Sequence, residues 1–281
     1  MPSLVSGQLD VIAPGVRRLV ANNASFMTGP GTNTYLVGRE RFIVIDPGPP
    51  GDPHIRKILD ETGGNIAAVL VTHTHRDHSP AAAALAEATG AELLGRAPPD
   101  DGRQDMTFTP TRTLDDGAEV DIDGLRLRAI HTPGHASNHL CYLLDDTGLL
   151  FTGDHLMQGS TVVIAPPDGH MGQYLQSLRR LQQEPVTRIA PGHGLVIEDA
   201  QNEIARIIAH RLQREAKVVS RLSDAPQTTI GALVTSVYDD VDPRLHPLAQ
   251  SSLLAHLIKL EEEGRARREG SGASEVWKSG A

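Results

Sequence analysis

Val71-Thr-His-Thr-His-Arg-Asp-His78 is the stretch on which the reading of this 281-residue chain turns. It grows out of Ala67-Ala-Val-Leu-Val-Thr72, a run of small and β-branched residues that predicts a buried strand. An Ala-rich helix is predicted next, from about Ser79 to Thr89. Three histidines and an aspartate therefore occupy a turn between strand and helix. In strand-like backbone His73 and His75, two apart, point the same way. The turn then swings Asp77 and His78 in from the other side. Imidazole nitrogen and carboxylate oxygen together suit a borderline divalent metal such as zinc.

Three more predicted strands end in the same manner. Leu125 to Ile130, the second arm of a hairpin turning at Asp123-Gly124, runs into His131-Thr-Pro-Gly-His-Ala-Ser-Asn-His139. Gly148-Leu-Leu-Phe-Thr-Gly-Asp-His155 delivers Asp154, and Arg188-Ile-Ala-Pro-Gly-His-Gly194 delivers His193. Gly or Pro is read as shaping the backbone at all of these ends. The pattern fits a site built at one edge of a sheet or sandwich. Upstream, Phe42-Ile-Val-Ile-Asp46 predicts an apolar strand whose last residue, Asp46, either caps the turn or accepts a hydrogen bond from a metal-bound histidine. Residues 96 to 116 read as a loop over the site.

Composition bounds the rest. Hydrophobic content of 39% and charged content of 22% are ordinary for a globular protein. Aromatics make up only 3%, so the core must be built mainly from Ala, Val, Leu and Ile. A net charge of −9 argues against polyanion binding over the whole surface, while leaving room for a local basic groove. The single cysteine, Cys141, excludes an intrachain disulfide and sits in a predicted strand as a small buried thiol. Charged residues interrupt the N-terminal segment and no apolar run approaches spanning length, so no signal peptide and no membrane partner are expected, with the cytoplasm as the default location.

From about residue 201 the composition changes. Glu203 to Leu222 predicts a long helix with Ile204, Ile208, Leu212 and Val219 on one face. Arg206, His210, Arg214, Lys217 and Arg221 fall opposite, as a solvated face or as a basic strip for a polyanionic substrate. Arg211 lies towards the apolar side, where an arginine makes an ion pair or reaches into a cleft. Two further helices, Thr229 to Tyr238 and Pro247 to Glu263, and a hairpin around Ser271-Gly-Ala give winged-helix order. The second helix ends in Leu260-Glu-Glu-Glu263, and three carboxylates oppose phosphate contact. A packing and lid-forming module is expected, without sequence-specific DNA binding. The division expected is 1–200 for the catalytic part and 201–281 for the winged-helix-like part.

His73-Thr-His-Arg-Asp-His78, His131-Thr-Pro-Gly-His135, Thr152-Gly-Asp-His155 and Pro191-Gly-His-Gly194 together resemble the metal-binding signature of the metallo-β-lactamase superfamily. Gly31-Thr-Asn-Thr-Tyr-Leu-Val37, the helix around Ile208 to Glu215 and the winged-helix tail resemble its lactamase-β-like protein 2 group, so that the likeness spans nearly the whole chain. The resemblance implies an α+β fold, an αββα sandwich followed by a small winged-helix domain. It implies two divalent metals, zinc first, with iron or manganese as alternatives. His73, His75 and His135 would bind one; Asp77, His78 and His193 the other; Asp154 would bridge. Asp77 would also orient a hydroxide shared by the metals, whose water has its pKa lowered towards about 7.

Members of the group are linked to cleavage of single-stranded RNA, which makes an endoribonuclease-like hydrolase the first expectation. Related proteins of similar build hydrolyse thioesters on carrier proteins, and glyoxalase II shares the metal set. A thioester or lactone hydrolase is thus the alternative. A bridging Asp154 leaves at most weak β-lactamase side activity. His139 and His155 are candidates for the leaving-group proton donor, and Arg76, Arg211 and Arg214 for contacts with a phosphodiester. Oligomeric state stays open.

Overall fold

The structure, a computed structural model, describes residues 4–225 and 227–280. Its chain packs into two compact units. One comprises residues 1–132, 138–162 and 181–203; the other comprises 133–137, 163–180 and 204–281.

In the first unit, two sheets form from the described residues. Strands β1 (Leu9–Ala13), β2 (Val16–Val20), β3 (Asn33–Gly38), β4 (Phe42–Ile45), β5 (Ile66–Leu70), β6 (Glu92–Gly95) and β7 (Arg112–Thr113) lie side by side in chain order. The first four are antiparallel; from β4 onward the pairing is parallel. Helices α1 (Asp52–Thr62) and α2 (Ala81–Thr89) supply crossovers from β4 to β5 and from β5 to β6, as parallel neighbours require. The other sheet has the order β12, β11, β10, β9, β8, with β8 (Glu119–Ile122), β9 (Leu125–His131), β10 (Leu140–Leu144), β11 (Leu149–Gly153) and β12 (Arg188–Pro191). Asp123 and Gly124, both at positive φ, make the tight β8–β9 turn.

Side chains alternate across each strand. Tyr35, Val37, Ile43, Ile45, Ala68 and Leu70 of the first sheet meet Leu127, Ala129, Leu140, Tyr142, Leu144 and Phe151 of the second in one core. Leu36, Val44 and Val69 point the other way, onto Ile58 of α1 and Ala82 and Leu85 of α2. Cys141 is buried, with Sγ 3.3 Å from Thr132 Oγ1.

At one end the two sheets are stitched together by buried hydrogen bonds. Tyr142 Oη donates to Val71 O and Tyr35 Oη donates to Pro191 O, each at 2.7 Å. Leu140 N donates to Thr72 O, and Asn33 N to Gly192 O. Burial pushes both phenols well above their ordinary pKa, so they remain donors. The turns after β5, β11 and β12 emerge at this end.

The second unit holds α3 (Met171–Leu181) up to Arg180, most of α4 (Ala200–Ser223), then α5 (Ile230–Val237), α6 (His246–Glu262) and the hairpin β13 (Ala266–Glu269) and β14 (Val276–Ser279). Thr229 caps α5 by accepting from Ala232 N. Val218, Leu222, Leu233, Val237, Leu253, Leu257 and Trp277 form its core. The buried stripe of α4 differs from the expected one. Ile204, Ile207, Arg211, Arg214, Val218 and Leu222 are buried, while Leu212 is 40% exposed. Arginine stems cover apolar surface as well as aliphatic residues do, so the stripe passes through positions that read as polar. No helix among the described residues is long and apolar enough to cross a membrane.

Candidate metal centre

Asp46 ends β4 at φ 49° and is buried. Its Oδ1 accepts from Thr72 N at 2.7 Å, and its Oδ2 accepts from Thr72 Oγ1 at 2.7 Å. Oδ2 also lies 2.9 Å from His78 Nδ1. An ionised carboxylate only accepts, so His78 carries its proton on Nδ1 and presents Nε2 as the lone-pair nitrogen. The Thr72 hydroxyl, with its hydrogen directed at Asp46, accepts from His73 Nδ1 at 3.1 Å. One carboxylate thus sets the tautomers of two histidines, the arrangement metal-bound imidazoles require. Of the two sequence readings of Asp46, the structure supplies the hydrogen bond to a histidine.

The other ring orientations follow the same rule. His193 Nδ1 faces Gly31 O at 3.2 Å, and His135 Nδ1 faces Val163 O at 2.8 Å. Each carbonyl accepts, so each Nε2 is left as the nitrogen able to ligate a cation. His73 and His75 pack with ring centroids 4.6 Å apart.

The candidate ligands form two groups: His73 and His75 of the first unit, with His135 carried by the 133–137 loop of the second; and Asp77, His78, Asp154 and His193, all of the first unit, whose donor atoms lie within 4.8 Å of one another. In the second group, Nε2 of His78 lies 3.4 Å from Asp154 Oδ1 and 3.6 Å from Asp77 Oδ2. Nε2 of His193 lies 3.3 Å and 3.2 Å from the same two oxygens. Lone pairs of nitrogen and oxygen therefore converge on one point, which a cation relieves. Ligands about 2.05 Å from a tetrahedral zinc stand about 3.3 Å apart, so these spacings fit such an ion. Gly192 makes the space, since a Cβ there would lie 2.8 Å from both Asp154 Oδ1 and His78 Cε1.

When Nε2 of His78 and His193 is protonated instead, the imidazoles themselves supply the positive charge that the carboxylates attract. Burial alone would push the Asp154 carboxyl up, but the charges of His193 and His78 outweigh it and hold it well below the usual range. Burial would lower His193, yet the Asp154 charge and the hydrogen bonds that its imidazole donates to both carboxylates raise it to about 9. Such mutual stabilisation marks a site arranged for concentrated charge.

The loop at 96–116 is clipped to the motif. Asp105 N donates to Thr74 O, Thr74 Oγ1 to Gln104 Oε1, and Ser79 Oγ to Asp105 Oδ2. Asn138 Nδ2 donates to Thr74 Oγ1 at 2.7 Å. Neither Thr72 nor Asn138 stood out in the sequence, where only a polar residue beside a histidine signals the role.

His139 and His155 are fully buried. The His139 ring stacks on His73 at 5.0 Å, with Nδ1 3.0 Å from Thr132 Oγ1. The His155 ring in turn lies 5.7 Å, centroid to centroid, from that of His139. Arg214 donates to both oxygens of Asp240 and to Val237 O, with its guanidinium 4.3 Å from the Tyr238 ring centroid. Arg211 is 3% exposed, with Cζ 5.4 Å from the centroid of Tyr174. Arg76 is exposed in the turn itself.

Residues 27–193 match the metallo-β-lactamase superfamily, and 229–277 match the β-lactamase-associated winged helix domain. A β-lactamase-like protein 2 homologue of Drosophila melanogaster is 32% identical, covering 95% of this chain and 94% of its own length. An atrochrysone carboxyl ACP thioesterase of Aspergillus chevalieri is 33% identical, covering 95% and 87%. Among solved structures, a β-lactamase domain protein from Burkholderia ambifaria has a TM-score of 0.84 at 22% identity, over 99% of this chain and 95% of its own. The chain belongs to the metallo-β-lactamase superfamily and is a metal-dependent hydrolase with a C-terminal winged-helix domain.

Proposed function

We propose that this protein hydrolyses a thioester of an acyl group, at a centre of two divalent metal ions, zinc by the chemistry of the donors. His73, His75 and His135 would hold one ion and Asp77, His78 and His193 the other, with Asp154 shared. Residues 1–200 would carry the chemistry and 201–281 form the winged-helix module. When bound, the ions supply Lewis acidity and make a water acidic enough to attack near neutral pH. Asp46 fixes the tautomers of His78 and, through Thr72, of His73. Asp77, the more exposed of the two carboxylates, would orient the attacking water.

The observation that carries the thioester reading is the burial of His139 and His155. Neither candidate proton donor reaches solvent, which suits a leaving group that departs without a proton. A thiolate, with a pKa of about 8.5, does so more readily than an alkoxide. The thioesterase of Aspergillus chevalieri, alike over 95% of this chain, supports the same choice. Arg214, a candidate for phosphate contact, is engaged by Asp240. Arg76 favours a second reading: exposed beside His75 and Asp77, it suits a phosphodiester of single-stranded RNA, as the likeness to the lactamase-β-like protein 2 group implies.

The test is a matched panel of acyl thioester, lactone, lactam and end-labelled single-stranded RNA, with Asp77→Ala protein as the contamination control. Thioester turnover by wild type alone is the expected result. RNA cleavage without thioester turnover would overturn it in favour of the second reading.

A further inference from the structure

The loop 133–137, which carries His135, is held by the stretch from 163 to 177. Val163 O accepts from His135 Nδ1 at 2.8 Å. His170 N donates to Gly134 O, Ser137 N to Asp168 Oδ2, and Ser177 Oγ to Pro133 O, all at 2.8–2.9 Å. Contact is close enough that a Cβ on Gly134 would lie 2.4 Å from Tyr174 Cα. The same stretch is fastened to α6. Ile164 N donates to the buried Ser252 Oγ at 3.3 Å, and His170 Nε2 lies 3.1 Å from Glu262 Oε1. Ile164 is the residue next to the carbonyl that accepts from His135. Helix α6 is the one that a DNA-binding winged helix would present to a groove. Here Ser252 and Glu262 receive a segment of the chain itself, and only Pro247 and Glu262 of α6 are exposed.

We infer that the winged-helix domain is a positioning scaffold for the metal ligand His135, acting from Ser252 and Glu262 of α6 through the 163–170 strap to Nδ1 of the imidazole. The inference rests on the proposed role of His135 in holding a metal ion. Its physical basis is that the acceptor behind a ligating histidine fixes both tautomer and ring direction, and losing such an acceptor weakens metal binding about 10–100-fold. Loosening the strap that carries the acceptor has a smaller effect of the same sign.

The experiment compares full-length wild type, the double variant Ser252→Ala/Glu262→Gln, and Arg214→Ala as a control that loosens α4 without touching α6 or the strap. Zinc affinity at both sites is read by competition with a chromogenic chelator, alongside thermal stability. The double variant is expected to weaken one of two zinc sites by about threefold to tenfold and leave the other unchanged. Arg214→Ala should lower the melting temperature with both affinities intact. Equal affinities in all three proteins, or equal losses in both variants, would overturn the scaffold role. His135→Ala tests the underlying reading separately: unchanged zinc stoichiometry there would remove His135 from the ligand set.

Discussion

His78 Nδ1 stands 2.9 Å from Asp46 Oδ2, at the end of a strand thirty-two residues upstream. That contact makes His78 present Nε2 to the two carboxylates of the site. Asp46→Asn replaces one acceptor oxygen by an amide that also donates. It would face His78 Nδ1–H or the Thr72 hydroxyl with a second donor. Zinc affinity at the His78 group should fall about 10–100-fold, measured by chelator competition. Melting temperature should fall too, since a buried donor is left unsatisfied at a cost of about 1–3 kcal/mol. Wild-type affinity in the variant would remove Asp46 from its orienting role.

Asp77 has the opposite expectation for stability. Its side chain is 29% exposed, and its neighbours His78 and His193 are held independently by Asp46 and Gly31. Asp77→Ala should lower turnover by about 10²-fold or more, the scale of losing one oriented group at a reacting centre. Circular dichroism and melting temperature of the metal-free protein should remain close to wild type. Wild-type turnover in metal-loaded variant protein would exclude the two-metal mechanism proposed for this chain.

The candidate site was legible because its residues are grouped locally in the sequence. Each candidate donor sits at or just beyond the end of an apolar strand, so an apolar run followed by a polar or Gly/Pro turn marks it without knowledge of the fold. What completes the site is not local. The acceptor for His135 is a main-chain carbonyl, which no side-chain pattern reveals. The strap's partner Ser252 lies 88 residues beyond Ile164. The stripe on α4 was misplaced for a related reason: Arg214 is buried because Asp240, 26 residues on, and the Tyr238 ring receive it. A helical wheel scores an arginine as exposed and an exposed Leu212 as core. Winged-helix order, by contrast, was readable from the succession of helix, helix and hairpin.

Arg214 and Asp240 provide a quantitative test of that reassignment. The pair is bidentate, but Asp240 is largely exposed, so water screens much of the attraction. Arg214→Ala should destabilise the protein by about 1–2 kcal/mol, more through lost stem packing and the bond to Val237 O than through charge. A double-mutant cycle with Asp240→Ala should give a coupling of about 0.5–1 kcal/mol in urea unfolding. Zero coupling would mean that the guanidinium is not held by Asp240 in solution, and would return it to the list of substrate contacts.

Glu215 supplies the pH dependence. Burial would push its carboxyl up, but bonds from His256, Lys259 and Arg265 outweigh this and hold it at about 2. A carboxyl depressed in the folded state binds its proton more weakly than in the unfolded chain. Its stabilising contribution is therefore complete above the unfolded value, about 4.3 for glutamate, and is lost as pH falls from there towards 2. These bonds join α4, α6 and the residue before β13, so the loss falls on the winged-helix core. Glu215→Gln removes the charge at every pH. Melting curves of metal-free protein should show wild type above the variant by several degrees at pH 7. The gap should close as pH falls from about 4.5 towards 2. A gap independent of pH would show that Glu215 stabilises α6 by packing and hydrogen bonding alone, with no contribution from its charge.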